Sequence, residues 1–117
     1  MLLVDLLNED GVTGRAHTFC HRPSGAVAIS SHLLEAVDLL KGKDSTPFDV
    51  AQTLSRQFAL LGRTGAVRMA LSLFDMAMWD AMAQMQPVPL STLLGSRLRP
   101  LLAYDNREAK LKRLRTI

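Results

Sequence analysis

Four side chains on one stripe of an otherwise apolar segment are the first candidates for chemistry. They stand at positions i, i+4, i+7 and i+11, which one face of an α-helix brings together: Arg68, Ser72, Asp75 and Trp79. Burying an Arg or Asp is costly unless the charge is paired, so each requires a partner. Because no nucleophile or general base adjoins the Arg/Asp pair, the stripe predicts a structural polar network rather than a catalytic site.

A second group of potential ligands lies nearer the amino terminus. His17, Cys20 and His21 offer metal-binding side chains within five residues. Along a strand, however, His17 and His21 point to one face and Cys20 to the other, so they converge on zinc only if the backbone bends sharply after Phe19. Because no further ligand follows at a familiar zinc spacing, the sequence favours a strand end with ordinary polar side chains.

A third feature is the concentration of positive charge at the carboxyl end. The formal net charge is +3, but residues 107–117 contain five Lys or Arg and one Glu, a net charge of +4. The rest holds 9 basic and 10 acidic residues, a net charge of −1. A short basic helix could seek phosphate or an anionic surface, but neither aromatic residues nor a Gly-rich loop accompany it. We expect a solvated tail, and binding to nucleic acid is disfavoured.

Length and composition limit the class of protein. A chain of 117 residues with 48% hydrophobic residues and a mean hydropathy of +0.11 is typical of one globular domain. The lone Cys20 cannot form an internal disulfide, and the first residues lack the features of a signal peptide. Asp75 and Asp80 interrupt the longest apolar stretch, residues 71–85, which argues against a membrane span. We therefore expect a cytoplasmic protein with no membrane partner.

Local patterns predict a hairpin, then helices. Residues 2–7 and 12–19 read as two strands joined by a turn, and residues 100–104 read as a later strand. Between them, apolar residues at helical spacing begin at Ala26 and predict the first of three helices. This order predicts an α+β fold in which a small antiparallel hairpin sheet packs against a three-helix bundle.

Capping residues set the expected limits of the second and third helices. Thr46 and Asp49 have nearly the spacing of a capping box, and Gly62 is expected to close the second helix. Thr64 is a suitable cap for the third helix, which carries few polar residues over residues 65–85. Such a helix belongs in the middle of a packed core.

The most informative pattern spans residues 68–95. It reads RMALSLFDMAMWD from Arg68 to Asp80 and PVPLSTLLG from Pro87 to Gly95, with Ala-Tyr-Asp at residues 103–105. This pattern resembles the amino-terminal capping domain of the mandelate racemase and muconate lactonizing enzymes, within the enolase superfamily. In that family the cap leads into a (β/α) barrel, and the polar stripe would lie at a helix–helix or helix–barrel contact.

The resemblance implies a particular division of the chain. Residues 1–106 would form a partial capping domain that ends in the would-be first barrel strand, and residues 107–117 the basic tail. A complete barrel needs about 250 residues, so this sequence lacks one. A further strand and a flexible loop of the family would precede Met1.

The family carries out magnesium-dependent abstraction of the α-proton of hydroxy or sugar acids, as racemases or dehydratases, which are isomerases or lyases. Its metal ligands and catalytic bases come from later barrel strands, so the resemblance implies no catalytic, cofactor-binding or metal-binding residue in this chain. Cys20, His21 and Arg22 match a cap loop that helps to select the substrate. His21 stands where an aromatic residue is expected in the racemase itself, which disfavours an aromatic hydroxy-acid substrate.

Two functional hypotheses follow. The first is a truncated mandelate racemase-like protein that is inactive alone and whose partner is a missing barrel chain. The second is a non-catalytic interaction module that forms a homo-oligomer or binds a partner through its sheet edge and its barrel-facing surface.

Overall fold

A β-hairpin followed by helices makes up the part of the chain that the computed structural model describes, residues 1–43 and 46–97. The elements, in chain order, are β1 (Leu2–Leu7), β2 (Thr13–Thr18), α1 (Pro23–Leu40), α2 (Pro47–Gln57), α3 (Gly65–Met85) and α4 (Leu90–Leu93). The predicted α+β fold is confirmed. The predicted strand over residues 100–104 and the tail at 107–117 lie outside the described residues.

The hairpin buries one face and exposes the other. Its strands pair antiparallel, with Asp5 opposite Arg15, and these two exposed side chains form an ion pair with N and O atoms 3.6 Å apart. Side chains alternate between faces along a strand. The alternate residues of β1 that pack against the core are Leu2, Val4 and Leu6. The intervening Leu3 and Leu7 are 67% and 69% exposed.

The third long helix, α3, lies at the centre of the packed body. It contacts β1 and β2, and it also contacts the helices α1 and α2. Its Leu73 and Ala77 are fully buried, and Phe74 is 5% exposed. The prediction of a central third helix is therefore confirmed. Within the described ranges, no helix combines the length and the apolar character needed to cross a membrane.

Two helix boundaries differ from the sequence predictions. α1 begins at Pro23 rather than Ala26, because the fixed φ of proline suits the first helical position. α2 ends at Gln57 rather than near Gly62. The N–H of Ala59 bonds to the carbonyl of Arg56, three residues back, which tightens the turn and ends the helix. The buried Phe58 continued the apolar spacing beyond the helix and so concealed this end.

The two predicted helix caps have different outcomes. The backbone N–H of Asp49 donates to Thr46 Oγ1 at 3.3 Å, and the N–H of Thr46 donates to Asp49 Oδ2 at 3.4 Å, so the capping box of α2 is confirmed. Thr64 occupies the N-cap position of α3, but its side chain makes no capping hydrogen bond.

Gly14 allows β2 to lie directly against α3. A Cβ atom at this position would come within 1.9 Å of the Ala77 carbonyl oxygen and 2.9 Å of Ala81 Cβ. Both obstacles belong to the buried face of a helix, and a backbone carbonyl has no alternative rotamer to adopt. The strand and the helix can therefore keep this spacing only if residue 14 has no side chain.

We expect Gly14→Ala to destabilise the protein by about 2–4 kcal/mol, because the strand must move away from α3 and lose packing. Urea unfolding followed by circular dichroism measures this change. Gly25→Ala is the matched control. Its added Cβ meets no atom within 4 Å, and position 25 lies in α1. It should leave stability unchanged or raise it by about 0.5–1 kcal/mol. Equal effects of the two substitutions would contradict this account of Gly14.

Candidate functional site

α3 presents the predicted polar stripe at an open cleft beside α2. Arg68, Ser72 and Asp75 line this cleft, which has a volume of about 540 Å³. Trp79 lies one turn further along the same helix face, where its ring meets that of Phe48 edge to face at a centroid distance of 5.4 Å. The four side chains of the stripe thus share one surface of α3.

The facing wall of the cleft comes from α2 and the segment after it. Arg56 and Arg63 also line the cleft, and Arg63 Nη1 donates a hydrogen bond to Ser55 Oγ at 2.6 Å. Within residues 1–43 and 46–97, neither Arg68 nor Asp75 has an ion-pair partner. A polar network formed with another helix of this part of the chain is therefore not found, and a contact with a barrel stays a prediction.

Two other side chains of α3, which sequence reasoning missed, hold the outer edge of β2. The backbone N–H of Arg15 donates to Asp80 Oδ2 at 2.8 Å. Gln84 Nε2 donates to the carbonyl oxygen of Thr13 at 2.9 Å and to Asp80 Oδ2 at 2.8 Å. Asp80 and Gln84 stand four apart on one helix face, which could have indicated a shared partner. The strand they contact is 65 and 71 residues away in sequence, so no local pattern identifies it.

The opposite edge of the sheet, formed by β1, is open within the part of the chain that the structure describes. Since the N–H of Arg15 and the carbonyl of Thr13 point to α3, the backbone groups that β2 directs to β1 belong to the intervening residues. Through the strand register, the backbone groups of Leu3, Asp5 and Leu7 then point away from β2. Among the described residues, no third strand pairs with them.

The predicted substrate loop follows directly after β2. His21 and Arg22 are exposed, whereas Cys20 is half-buried and packs against the core. The His21 ring lies edge to face with Phe19, with centroids 5.1 Å apart. His17 is exposed on β2. In the described part of the chain, no grouping of three His, Cys, Asp or Glu side chains could hold a metal ion.

The two-stranded antiparallel sheet packed against helices matches the amino-terminal capping domain of the enolase superfamily. The chain belongs to the family described as the mandelate racemase / muconate lactonizing enzyme, N-terminal domain, whose model matches residues 1–95. This match confirms the resemblance noted in the sequence.

Individual relatives support the same assignment. The chain is 30% identical over 106 residues to an L-talarate/galactarate dehydratase of Salmonella typhimurium, which covers 90% of this chain and 26% of the dehydratase. The crystal structure of that enzyme liganded with Mg and L-lyxarohydroxamate has a TM-score of 0.67 at 30% identity, covering 82% of this chain and 25% of that one.

A Bradyrhizobium enolase complexed with magnesium and mandelic acid is also similar, with a TM-score of 0.82 and 33% identity. It covers 97% of this chain and 33% of the enolase. The chain therefore spans about a quarter to a third of the length of these relatives. Relatives of this domain bind magnesium, as the family resemblance implied.

The two acidic side chains of α3 should differ in their contribution to stability. Asp80→Ala removes the acceptor for the Arg15 N–H and for Gln84, so we expect a loss of about 1–2 kcal/mol in the free energy of unfolding. Asp75→Ala, on the same helix, should change stability by no more than about 0.5 kcal/mol. Urea unfolding of the two variants makes the comparison, and a loss at position 75 equal to that at position 80 would contradict it.

Proposed function

We propose that this chain is the capping domain of a magnesium-dependent enzyme that abstracts the α-proton of a hydroxy or sugar acid, as a racemase or a dehydratase. Such an enzyme is an isomerase or a lyase. The observation that carries the proposal is the family match over residues 1–95, together with similar proteins crystallised with magnesium and an acid. The cytoplasm is the compartment we propose, since the lone Cys20 suits a reducing environment.

The described residues do not fit a magnesium site. Magnesium takes oxygen ligands, chiefly carboxylates, in a near-octahedral arrangement. Residues 1–43 and 46–97 offer no such grouping, and Asp80 is already engaged by the edge of β2. We therefore assign the metal ligands and the catalytic base to a barrel chain or domain. On this proposal, the capping domain alone is inactive, and its own contribution is to cover the substrate.

The substrate loop is where this contribution would be made. His21 is exposed at the end of β2 and has the Phe19 ring beside it. An imidazole can donate or accept hydrogen bonds, whereas the aromatic residue expected in the racemase offers mainly an apolar surface. His21 therefore favours a substrate rich in hydroxyl and carboxylate groups, such as a sugar acid, over an aromatic hydroxy acid.

A chimera tests the capping role. Residues 1–95 would replace the matching segment of the Salmonella dehydratase, whose own preceding segment and barrel are kept. We expect magnesium-dependent dehydration of galactarate by the chimera, since the cap fold is shared. The chain alone should show no turnover of 2-hydroxy acids above a metal-free control. A folded but inactive chimera, or turnover by the chain alone, would count against the proposal.

Loop variants of this chimera test the assignment of His21. His21→Phe should lower kcat/KM for galactarate about tenfold, the effect of losing a hydrogen bond worth about 1.4 kcal/mol in the transition state. His17→Phe is the matched control, since His17 is also exposed and lies on β2 rather than in the loop. It should leave kcat/KM within about twofold. An equal fall in both variants would reject a specific role for His21.

A second candidate function is self-association through the edge of β1. The backbone groups of Leu3, Asp5 and Leu7 point away from β2, and the leucine side chains are 67% and 69% exposed. An unpaired, apolar strand edge readily pairs with another strand. A second copy of this chain would add its own β1 antiparallel to the first and extend the sheet across both molecules.

This candidate predicts a dimer at about tens of micromolar, a concentration typical of weak association. Leu3→Lys should return the protein to the monomer, because a charged side chain on an edge strand opposes pairing. Leu34→Lys is the control, since Leu34 on α1 is 68% exposed, as much as Leu3. Sedimentation velocity measures the proportions of monomer and dimer for each protein. A monomeric unmodified chain, or dissociation by the Leu34 variant as well, would rule out pairing through β1.

A further inference from the structure

The cleft between α2 and α3 collects positive charge. Of the eight Lys and Arg side chains within the described residues, three line it, against one of eight Asp and Glu side chains. The three are Arg56, Arg63 and Arg68, and the acidic one is Asp75. Because the chain outside the basic tail is close to neutral, this asymmetry is a local property of the cleft.

The arginines surround an apolar floor. Val50, Leu54 and Phe74 form the base of the cleft and are each at most 5% exposed. Leu71 is half-buried on the α3 wall, and Ala51 is exposed on the α2 wall. A ligand in the cleft therefore meets apolar side chains at the walls and guanidinium groups around them.

The arginines are also free to bind. Arg63 donates one bond to a neutral serine hydroxyl, which leaves most of its donors for another group. In the described ranges, no carboxylate lies within ion-pair distance of any of the three arginines. A guanidinium offers a planar fork of donors that matches a carboxylate, so carboxylates are the chemistry that this wall recognises.

We propose that the α2–α3 cleft is a docking site for an acidic protein segment. Its carboxylate side chains pair with Arg56, Arg63 and Arg68, while its small apolar side chains cover Leu71 and Ala51. This interaction does not depend on the acid chemistry proposed above. The cleft holds about 540 Å³, room for several side chains rather than a single ion.

A protein segment fits better than a free acid because the cleft is open to solvent. A single exposed ion pair in water is screened and contributes little. Several carboxylates on one chain bind together, and the apolar contacts between them add to the attraction. The cleft supplies both components, with guanidinium groups on each wall and apolar side chains between them.

The chain carries its own reporter of binding. Trp79 is the sole tryptophan and lies one helical turn beyond Asp75, which lines the cleft. The experiment titrates the full chain, followed by Trp79 fluorescence and by calorimetry. The probe is a synthetic peptide in which Glu alternates with Ala and Leu. A peptide with Gln in place of every Glu, and free N-acetylglutamate at the same carboxylate concentration, are the comparison ligands.

We expect the Glu peptide to bind and its affinity to fall as salt rises, whereas the Gln peptide and N-acetylglutamate do not saturate the chain. Arg63→Gln and Arg68→Gln should each weaken binding about fivefold, as for partly exposed charge pairs. Arg97→Gln, which alters an exposed arginine outside the cleft, should change affinity by less than about twofold. Asp75→Asn should tighten binding about twofold, because it removes the one repelling carboxylate.

Each alternative result overturns the proposal in a recognisable way. Absence of binding, or equal binding of the Gln peptide, removes the role of carboxylates. Saturation by N-acetylglutamate alone identifies a small-anion site instead of a docking surface. An Arg97→Gln effect as large as that of Arg68→Gln indicates non-specific attraction. Weaker binding by Asp75→Asn shows that Asp75 is part of the structure of the site. Circular dichroism of every variant confirms that the fold is retained.

Discussion

The close approach of Gly14 to the backbone of α3 determines how tightly the hairpin packs on the central helix. It brings β2 so close to the helix that a single methyl group at Gly14 would collide with the Ala77 carbonyl. Because the strand is that near, Asp80 and Gln84 can reach its outer edge and occupy the N–H of Arg15 and the carbonyl of Thr13. A larger residue at position 14 would separate the strand from the side chains of Asp80 and Gln84.

The hairpin has a definite direction relative to the helix. The carboxyl end of α3 lies beside the hairpin turn, where Asn8 Nδ2 donates to Met85 Sδ at 3.2 Å. The loop of Cys20, His21 and Arg22 follows the opposite end of β2. The chain therefore leaves α3 at one end of the hairpin, and the loop of Cys20, His21 and Arg22 lies at the other end. One sheet edge is covered by α3, while no strand of residues 1–43 and 46–97 covers the edge of β1.

Features set by neighbours in sequence were predictable, and those set by distant residues were not. The hairpin follows from alternation and turn residues, the cap of α2 from Thr46 and Asp49, and the central position of α3 from its apolar composition. The predicted end of α2 was wrong because the buried Phe58 extends the apolar spacing into a turn. The functions of Asp80 and Gly14 were missed because each depends on a contact more than sixty residues away in sequence.

In the candidate site, too, the features set by sequence neighbours were predictable and those set by distant residues were not. Helical spacing was enough to place Arg68, Ser72 and Asp75 on one face, but it could not reveal that Arg56 and Arg63 border the same cleft. Nor do the described residues bury a charged side chain, so the core forms through apolar packing alone. Since none of the buried core residues belongs to the stripe or is one of the three cleft arginines, these surfaces can change without loss of the fold. What distinguishes one member of this family from another must therefore be sought on its surface, in groups such as His21 and Arg68 whose partners lie beyond the packed body.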